Sequence, residues 1–196
     1  VFSNTGLCTY THPSNSWNAI VTDNCTISGL SYSLSGATSG TGTSLSGQTF
    51  NLGQTTVVWT ATDLAGNTMT CSFDVTVLDN QAPTILSCSG ATQHDVITDL
   101  ASCNYIQPGN SWDATASDNC QLLPLTYSLS GATTGTGTTL AGASFNLGTT
   151  NVTWTATDPS GNSTTCTFTV TVTDRQAPII VDCGTDQNHS VSTDEG

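Results

Sequence analysis

The sequence predicts an all-β protein made of two tandem antiparallel β-sandwiches, and three observations predict it. The chain of 196 residues contains one pattern twice, with equivalent positions 95 residues apart, as in Trp59 and Trp154. Several segments alternate apolar and polar side chains, which is the period of a strand that buries one face. Gly, Pro, Asn and Asp separate these segments, and no segment has the period of a helix.

The most regular predicted element is a β-hairpin that occurs once in each repeat. In the first repeat, apolar side chains alternate along residues 57–61 and again along 71–77. Between them, Asp63-x-x-Gly66-Asn67 predicts the turn, because Gly66 and Asn67 tolerate positive φ and the Asp63 carboxylate can accept hydrogen bonds from the backbone. A hairpin alone is only marginally stable in water, so the rest of each repeat must supply a second sheet.

The remaining predicted strands are short. Six or seven strands per repeat favour an immunoglobulin-like sandwich. The glycine-rich runs 36–42 and 131–137 are expected to be loops or strand bends and not phosphate loops, because they precede no helix and contain no Lys. The predicted strands of the second repeat are 84–87, 111–116, 125–129, 144–147, 151–157 and 164–173, and 179–182 is the equivalent of 84–87.

Composition excludes several classes of function. The chain has one basic residue, Arg175, against 14 acidic residues. Nucleic acids and anionic membranes are therefore not expected partners, since their phosphates require Lys and Arg. No apolar run is long enough to span a membrane. We predict that the protein is not an enzyme, because His12, His94 and His189 do not lie at the spacing of a nucleophile, base and orienting residue.

The cysteines predict the compartment. Their spacing does not match Cys-x-x-Cys zinc sites, so structural disulfides and an extracellular or cell-surface location are expected. A first residue other than Met is typical of a processed, secreted chain or of a cloned fragment. The eight cysteines are Cys8, Cys25, Cys71, Cys88, Cys103, Cys120, Cys166 and Cys183.

One motif extends over nearly the whole repeat. It resembles the hyalin repeat (HYR), a family of immunoglobulin-like modules of extracellular adhesion and surface proteins. Trp59 and Trp154 stand where that family often has Tyr. The matching residues are Asp118-Asn119-Cys120, then Phe145-x-x-Gly148-x-x-x-Val152-x-Trp154-x-Ala156-x-Asp158-x-x-Gly161-Asn162-x-x-x-Cys166-x-Phe168-x-Val170-x-Val172, then Ala177-Pro178-x-Ile180-x-x-Cys183.

The resemblance also implies a disulfide pairing. In the family pattern, the Cys of Asp-Asn-Cys pairs with the Cys of the last strand, and the Cys after Ala-Pro pairs with the next one. The resemblance speaks against the alternative pairing within each copy, Cys8 with Cys25 and Cys71 with Cys88. The implied pairs are Cys25 with Cys71, Cys120 with Cys166, and Cys88 with Cys103, which leaves Cys8 and Cys183 over.

The phase of the repeat predicts a filament joined by donor strands. We expect a first domain over 1–79 that lacks its own first strand, a second over 80–175, and a donor strand or linker over 176–196. A sandwich without an edge strand exposes core side chains and unpaired backbone groups. The partner would be another copy, joined head to tail. The expected donor residues are Ile179, Ile180 and Val181, with Cys183 bonded to Cys8 of the neighbour.

Two alternatives stay open. The same geometry arises inside one polypeptide if these residues belong to a longer tandem array, such as the stalk of a large surface adhesin. A binding module for a glycan or a protein is the other alternative. It would require exposed aromatic residues, whereas four tryptophans fall in strand patterns typical of a core: Trp17, Trp59, Trp112 and Trp154.

Sugar and calcium are the candidate non-protein components. The junction Asp79-Asn80-Gln81-Ala82-Pro83 resembles the calcium-binding linkers of cadherins, so Asp79, Asn80 and the equivalent Asp174 are candidate ligands. Linker capping without metal is the alternative. Asn-x-Ser/Thr sequons predict N-glycans at Asn24, Asn151, Asn162 and Asn188, with Asn162 the best placed. Outward-facing hydroxyl ladders are expected as a solvated face or as O-glycan sites: Thr60, Thr62, Thr153, Thr155, Thr157, Thr165, Thr167, Thr169 and Thr171.

Overall fold

The computed structural model describes residues 1–181, and all helical or strand structure in that part of the chain is β-strand. The expectation of an all-β fold is therefore confirmed. The described residues form no helix long and apolar enough to cross a membrane. The strands are β1 (Thr9–Thr11), β2 (Ile27–Gly36), β3 (Gly40–Gly42), β4 (Thr49–Asn51), β5 (Gly53–Asp63), β6 (Thr68–Val77), β7 (Thr84–Ser87), β8 (Gln93–Ile97), β9 (Asn104–Ile106), β10 (Thr115–Ser117), β11 (Thr126–Gly131), β12 (Gly135–Gly137), β13 (Ser144–Asn146), β14 (Gly148–Thr157) and β15 (Ser163–Thr173).

The second sandwich contains β7 to β15. Its large sheet has the order β12-β11-β14-β15-β8, in which all neighbours are antiparallel except β15 and β8. Two short ladders, β13 with β9 and β10 with β7, form the other layer. The parallel edge pair was not expected, because alternation along one strand does not reveal the direction of its neighbour. The buried core between the layers includes Trp112, Leu140, Phe145, Val152, Trp154, Phe168, Val170 and Val172.

The first sandwich, β1 to β6, has an equivalent core in which Trp17 and Phe73 are only partly buried, and it has fewer strands. Its large sheet has the order β3-β2-β5-β6, and β1 pairs with β4. At the place of β8, the described residues provide only a bridge between Phe2 and Leu78 beside β6. Residues 20–22, the equivalents of β10, form no strand, because no described strand lies beside them as β7 lies beside β10. One edge of the first sandwich is therefore open.

Both predicted hairpins form, with β5 paired to β6 and β14 paired to β15. In the first turn, Asp63 Oδ1 accepts a hydrogen bond from the Asn67 backbone N–H at 2.9 Å, and Oδ2 accepts one from the Asn67 side chain at 2.8 Å. Gly66 has a φ of 89°, a conformation that glycine adopts without strain. The hydrogen bonds from Asn67, the side-chain bond first, lower the pKa of Asp63.

The glycine-rich runs end in short strands, β3 and β12. Gly42 of β3 packs directly on the ring of Tyr32, and a Cβ at this position would lie 2.6 Å from the tyrosine hydroxyl oxygen. The close approach explains why a strand forms here without an alternating apolar pattern.

One strand prediction is wrong. Residues 111–112 form a turn, and the strand predicted over 111–116 begins only at Thr115. Trp112 therefore enters the core from a turn, where its carbonyl oxygen accepts the indole N–H of Trp154 at 3.2 Å. Residues 179–181 are exposed and form no strand within the chain, so their role as a donor strand that pairs with another copy stays a prediction. Residue 182 lies outside the described residues.

Candidate functional site

The open edge of the first sandwich borders an apolar groove. Two adjoining cavities of about 450 and 320 Å³ share Ala19, Trp59 and Cys71 as lining residues. Trp17 and Phe73 line the larger cavity. We call these two cavities the acceptor groove.

In the second sandwich, residues 84–97 lie at the place of the acceptor groove. β8 supplies a parallel partner for β15, and β7 supplies an antiparallel partner for β10. His94 of β8 stacks on Trp112 with ring centroids 4.4 Å apart and meets Phe168 edge to face at 5.3 Å. The segment thus contributes both backbone pairing and core packing.

Burial differs between the two sandwiches at the side chains that this segment covers. Phe168 is 2% exposed and Ala156 is 0% exposed, whereas their equivalents Phe73 and Ala61 are only half-buried. Ile20, at the rim of the acceptor groove, is 96% exposed. An apolar floor beside an unpaired strand edge is the geometry that accepts a further β-strand.

His12 and His94 pack against aromatic rings of the two sandwiches. The His12 ring stacks on Trp17 at 3.7 Å, and its Nδ1 lies 3.2 Å from the Tyr10 hydroxyl. Its Nε2 lies 3.3 Å from Ser16 Oγ. Among the described residues, no carboxylate is hydrogen-bonded to His12 or His94, as an orienting residue of a catalytic set would be. Burial lowers the pKa of both imidazoles.

The two sandwiches meet at a junction that includes a disulfide. Cys8 of the first sandwich is bonded to Cys120 of the second, with Cα atoms 5.0 Å apart. Asn119 donates from Nδ2 to a backbone carbonyl of the loop that carries Cys8, at 3.2 Å. Asn162 donates from Nδ2 to the carbonyl of Asp79 in the linker, also at 3.2 Å. The Asp-Asn-Cys motif and the hairpin turn of the second sandwich therefore hold the linker and the first sandwich against the second sandwich.

A glutamine caps each linker. Gln81 Oε1 accepts the backbone N–H of Gly6 at 2.6 Å, and Gln176 Oε1 accepts that of the equivalent Ala101 at 3.1 Å. Asp79 Oδ1 in turn accepts the N–H of Gln81 at 3.1 Å. No sequence motif indicated a role for these glutamines, although their recurrence at equivalent positions is a signal that could have revealed it.

The pairing implied by the resemblance is wrong. Cys120 was expected to pair with Cys166 and Cys88 with Cys103, but Cys88 is bonded to Cys166 with Cα atoms 6.2 Å apart. The reason is geometric: Cys166 lies on β15, close to the segment that carries Cys88, whereas Cys120 follows a turn at the junction. The alternative bond between Cys71 and Cys88 is wrong for the same reason.

The remaining cysteines also differ from expectation. Because Cys8 is bonded within the chain, its predicted bond to another copy, and its alternative bond to Cys25, are both wrong. Cys25 and Cys71, expected as a pair, are unbonded in the described part of the chain, as is Cys103, and all three are exposed. Cys183 lies outside the described residues.

Calcium at Asp79, Asn80 and Asp174 stays a prediction. Ligand atoms of Asp79, Asp118 and Cys120 lie within 4.8 Å of one another, but the Cys120 sulfur is engaged in the disulfide and only two carboxylates remain. Asp118 Oδ1 is buried and has no hydrogen-bond partner among the described residues. Asn80 and Asp174 are exposed and do not join this pair.

The structure changes the order of accessibility among the sequons. Asn24 and Asn151 are exposed, whereas Asn162 is half-buried and donates its amide hydrogens to Asp158 and Asp79. The expectation that Asn162 is the best placed is therefore wrong. Asn188 lies outside the described residues, and glycans on the sequons or on the threonine ladders stay predictions.

Comparison with known proteins identifies relatives of the chain. The HYR domain family model matches residues 16–77 and 78–172. A protein of Staphylococcus aureus named serine-rich adhesin for platelets is 34% identical over 147 residues, which are 74% of this chain and 6% of that protein. Its counterpart in strain MRSA252 is 33% identical over 151 residues, 74% of this chain and 10% of that protein. The chain thus spans a small part of the relatives that it matches.

Solved structures of cadherin extracellular domains match the chain at low similarity. Protocadherin gamma B2 extracellular domains 1–5 match with a TM-score of 0.35 and 14% identity, over 76% of this chain and 34% of that one. Drosophila N-cadherin domains 1–3 match with a TM-score of 0.34 and 16% identity, over 74% and 55%. The resemblance to the hyalin repeat is confirmed by the family match in both repeats. The chain belongs to the HYR domain family and carries two consecutive copies of the domain.

Proposed function

We propose that the chain is a structural module of an extracellular, adhesin-type fibre, in which the first sandwich of one copy accepts a β-strand from a neighbouring copy. The acceptor groove is the observation that carries the proposal, because residues 84–97 fill the equivalent place in the second sandwich. Strand addition would give β6 a backbone partner and cover the apolar floor.

The occupant is residues 179–190 of another copy, the sequence equivalents of 84–95. Ile85 of β7 pairs with Ala116 of β10. By equivalence, Ile180 would pair with Val21, in the segment that forms no strand on its own. The exposed Ile180 side chain would thereby become partly buried, as Ile85 is.

The other end of the occupant matches the far end of the acceptor groove. His189 is the equivalent of His94 and would stack on Trp17. The next equivalent position, Val1, is already in place, because its amino group donates to the Thr76 carbonyl at 2.9 Å. The occupant therefore ends at Ser190, immediately before the place that Val1 takes.

An extracellular location is supported by independent observations. Disulfides within a sandwich and between sandwiches are typical of oxidising compartments. The matched staphylococcal relatives are named as adhesins. A stalk segment of a longer polypeptide is the second candidate, favoured by the small share of those relatives that the chain spans, and there a preceding repeat would fill the acceptor groove.

Two variants that fail in complementary ways test strand exchange between copies. Ile180→Asp removes the donor strand and leaves the acceptor groove, whereas Ala19→Arg obstructs the groove and leaves the strand. Wild type is expected to form linear oligomers in sedimentation velocity and threads in electron microscopy. Each variant alone is expected to remain a monomer, and their mixture is expected to stop at heterodimers.

Val181→Asp is the matched control. Its equivalent Leu86 is 66% exposed in the second sandwich, so Val181 is expected to face solvent and its variant to assemble like wild type. Circular dichroism checks that the Ala19→Arg variant folds. A wild type that stays monomeric at every concentration would overturn assembly between copies, as would a Val181→Asp variant as defective as Ile180→Asp.

A further inference from the structure

We propose that two disulfides connect neighbouring copies at the joint, the contact between the second sandwich of one copy and the first sandwich of the next. The junction between the two sandwiches inside the chain serves as the model for this joint. Cys183 of the copy that donates the strand bonds to Cys71 of the acceptor copy. Cys103 of the donor bonds to Cys25 of the acceptor. The inference rests on the proposed function, because it requires a neighbouring copy at the acceptor groove.

The first bond follows from the position of Cys71. Cys71 lines both cavities of the acceptor groove, and its equivalent Cys166 is bonded to Cys88 at the same place in the second sandwich. Cys183 is the equivalent of Cys88 and belongs to the occupant, residues 179–190. A strand held in the register of β7 and β8 therefore brings Cys183 to Cys71.

The second bond follows from the turn that carries Cys25. The Cys25 N–H donates to Asp23 Oδ2 at 3.0 Å, just as the N–H of the bonded Cys120 donates to Asp118 Oδ2 at 2.9 Å. The turn that presents Cys120 to its partner thus also exists around Cys25, whose side chain is exposed.

The loop of Cys103 is likewise preformed. In the loop of the bonded Cys8, the Asn4 N–H donates to the Thr9 carbonyl at 2.7 Å. The loop of Cys103 has the equivalent hydrogen bond, from the Asp99 N–H to the Asn104 carbonyl at 2.8 Å. Both cysteines of the proposed pair therefore stand in the backbone setting of the pair already formed at the junction.

A place for the linker of the donor copy is also present. A cavity of about 480 Å³ lies between the Asp-Asn-Cys turn and the hairpin turn of the first sandwich, with Asp23 and Asn67 among its lining. In the second sandwich, the equivalent turns contact the linker, where Asn162 donates to the Asp79 carbonyl. Asp174 is the equivalent of Asp79 and would occupy this cavity in the joint.

The bonds form by thiol–disulfide exchange with a small-molecule disulfide as oxidant. A thiolate of one copy attacks that disulfide and releases one thiol, and the thiolate of the other copy then displaces the second thiol from the mixed disulfide. Each new bond thus removes two protons and two electrons from the pair of cysteines, and the oxidant takes them up as two thiols. With two such bonds at each joint, all eight cysteines of every interior copy have partners.

Disulfide mapping tests the proposal on the full chain. Equal amounts of ¹⁵N-labelled and unlabelled protein are assembled in a glutathione redox buffer, digested with pepsin at acidic pH and analysed by mass spectrometry. The expected products are peptides that link Cys71 to Cys183 and Cys25 to Cys103, with mixed labels in about half of them because the two halves come from different copies that assemble at random. A complete lack of mixed-label links, or a Cys25–Cys71 link, would overturn the proposal.

Electrophoresis without reductant separates this inference from the proposed function. Wild type is expected to run as a ladder, and the Cys103→Ser/Cys183→Ser variant as one band at 20.2 kDa, although it still oligomerises in sedimentation velocity. Cys8→Ser is the control and is expected to keep the ladder. Native oligomers that show no ladder in wild type would overturn the disulfides and leave strand exchange standing, whereas the absence of native oligomers would overturn strand exchange.

Discussion

Two stacked histidine rings are predicted to make the folded chain sensitive to acid. His12 stacks on Trp17 and His94 on Trp112, and burial lowers the pKa of both rings from the ordinary value of 6.5. A group with a lowered pKa in the folded state binds more protons when the chain unfolds. The stability that it contributes is therefore complete above pH 6.5 and is lost as the pH falls through the folded-state pKa.

Replacing the histidines is predicted to flatten this dependence. We expect the free energy of unfolding, measured in urea, to fall as the pH drops from 6.5 to about 5, before ordinary carboxylates begin to titrate. His12→Gln and His94→Gln should each reduce the slope, and the double variant should show little slope. The second repeat already has a glutamine at the position equivalent to His12. This residue is Gln107, whose Oε1 accepts the Tyr105 hydroxyl at 2.9 Å. An unchanged slope in the double variant would contradict the prediction.

At the scale of the element, the two hairpin turns have the same hydrogen bonds but different surroundings. Asp158 is 1% exposed and accepts from Asn162, which also contacts the linker, whereas Asp63 is half-buried beside the open cavity. Asp158→Ala is predicted to destabilise the second sandwich by about 1 to 3 kcal/mol, since it leaves the partly buried donors of Asn162 unpaired. Asp63→Ala should destabilise the first sandwich less. Urea unfolding of each variant checks this order, and equal effects would contradict it.

The elements predictable from sequence are those whose signal is local. The hairpins were predicted because alternation and the Asp-x-x-Gly-Asn turn both lie within one segment. β12 was missed, since its Gly-Thr-Gly sequence is selected by the tyrosine ring on which it packs. The pairing of Cys88 with Cys166 was missed because the parallel contact of β8 with β15 joins residues far apart in the chain, which spacing alone does not specify. The acceptor groove was not predictable from local sequence, because it is defined by the strands that the second sandwich has and the described first sandwich lacks.

At the scale of the whole molecule, the linker that follows one repeat contacts the turns of the next repeat. The linker of the first sandwich lies against the Asp-Asn-Cys and hairpin turns of the second, and the disulfide from Cys8 to Cys120 closes the contact. The same turns are present on the first sandwich, and the same linker residues, Asp174 and Gln176, follow the second. Each repeat thus presents one half of a junction at each end, which is the requirement for head-to-tail growth without closure.

The disulfide from Cys8 to Cys120 is predicted to fix the orientation of the two sandwiches. Three hydrogen bonds from Asn119 and Asn162 remain when it is removed, and each contributes only about 1 kcal/mol, so Cys8→Ser should allow the sandwiches to reorient. In the monomeric Ile180→Asp background, ¹⁵N relaxation is expected to give one common tumbling time for both sandwiches, and two distinct times after Cys8→Ser. Cys103→Ser, at the equivalent but unbonded position, is the control and should change nothing. A single common tumbling time in the Cys8→Ser variant would mean that the asparagine contacts alone hold the junction rigid.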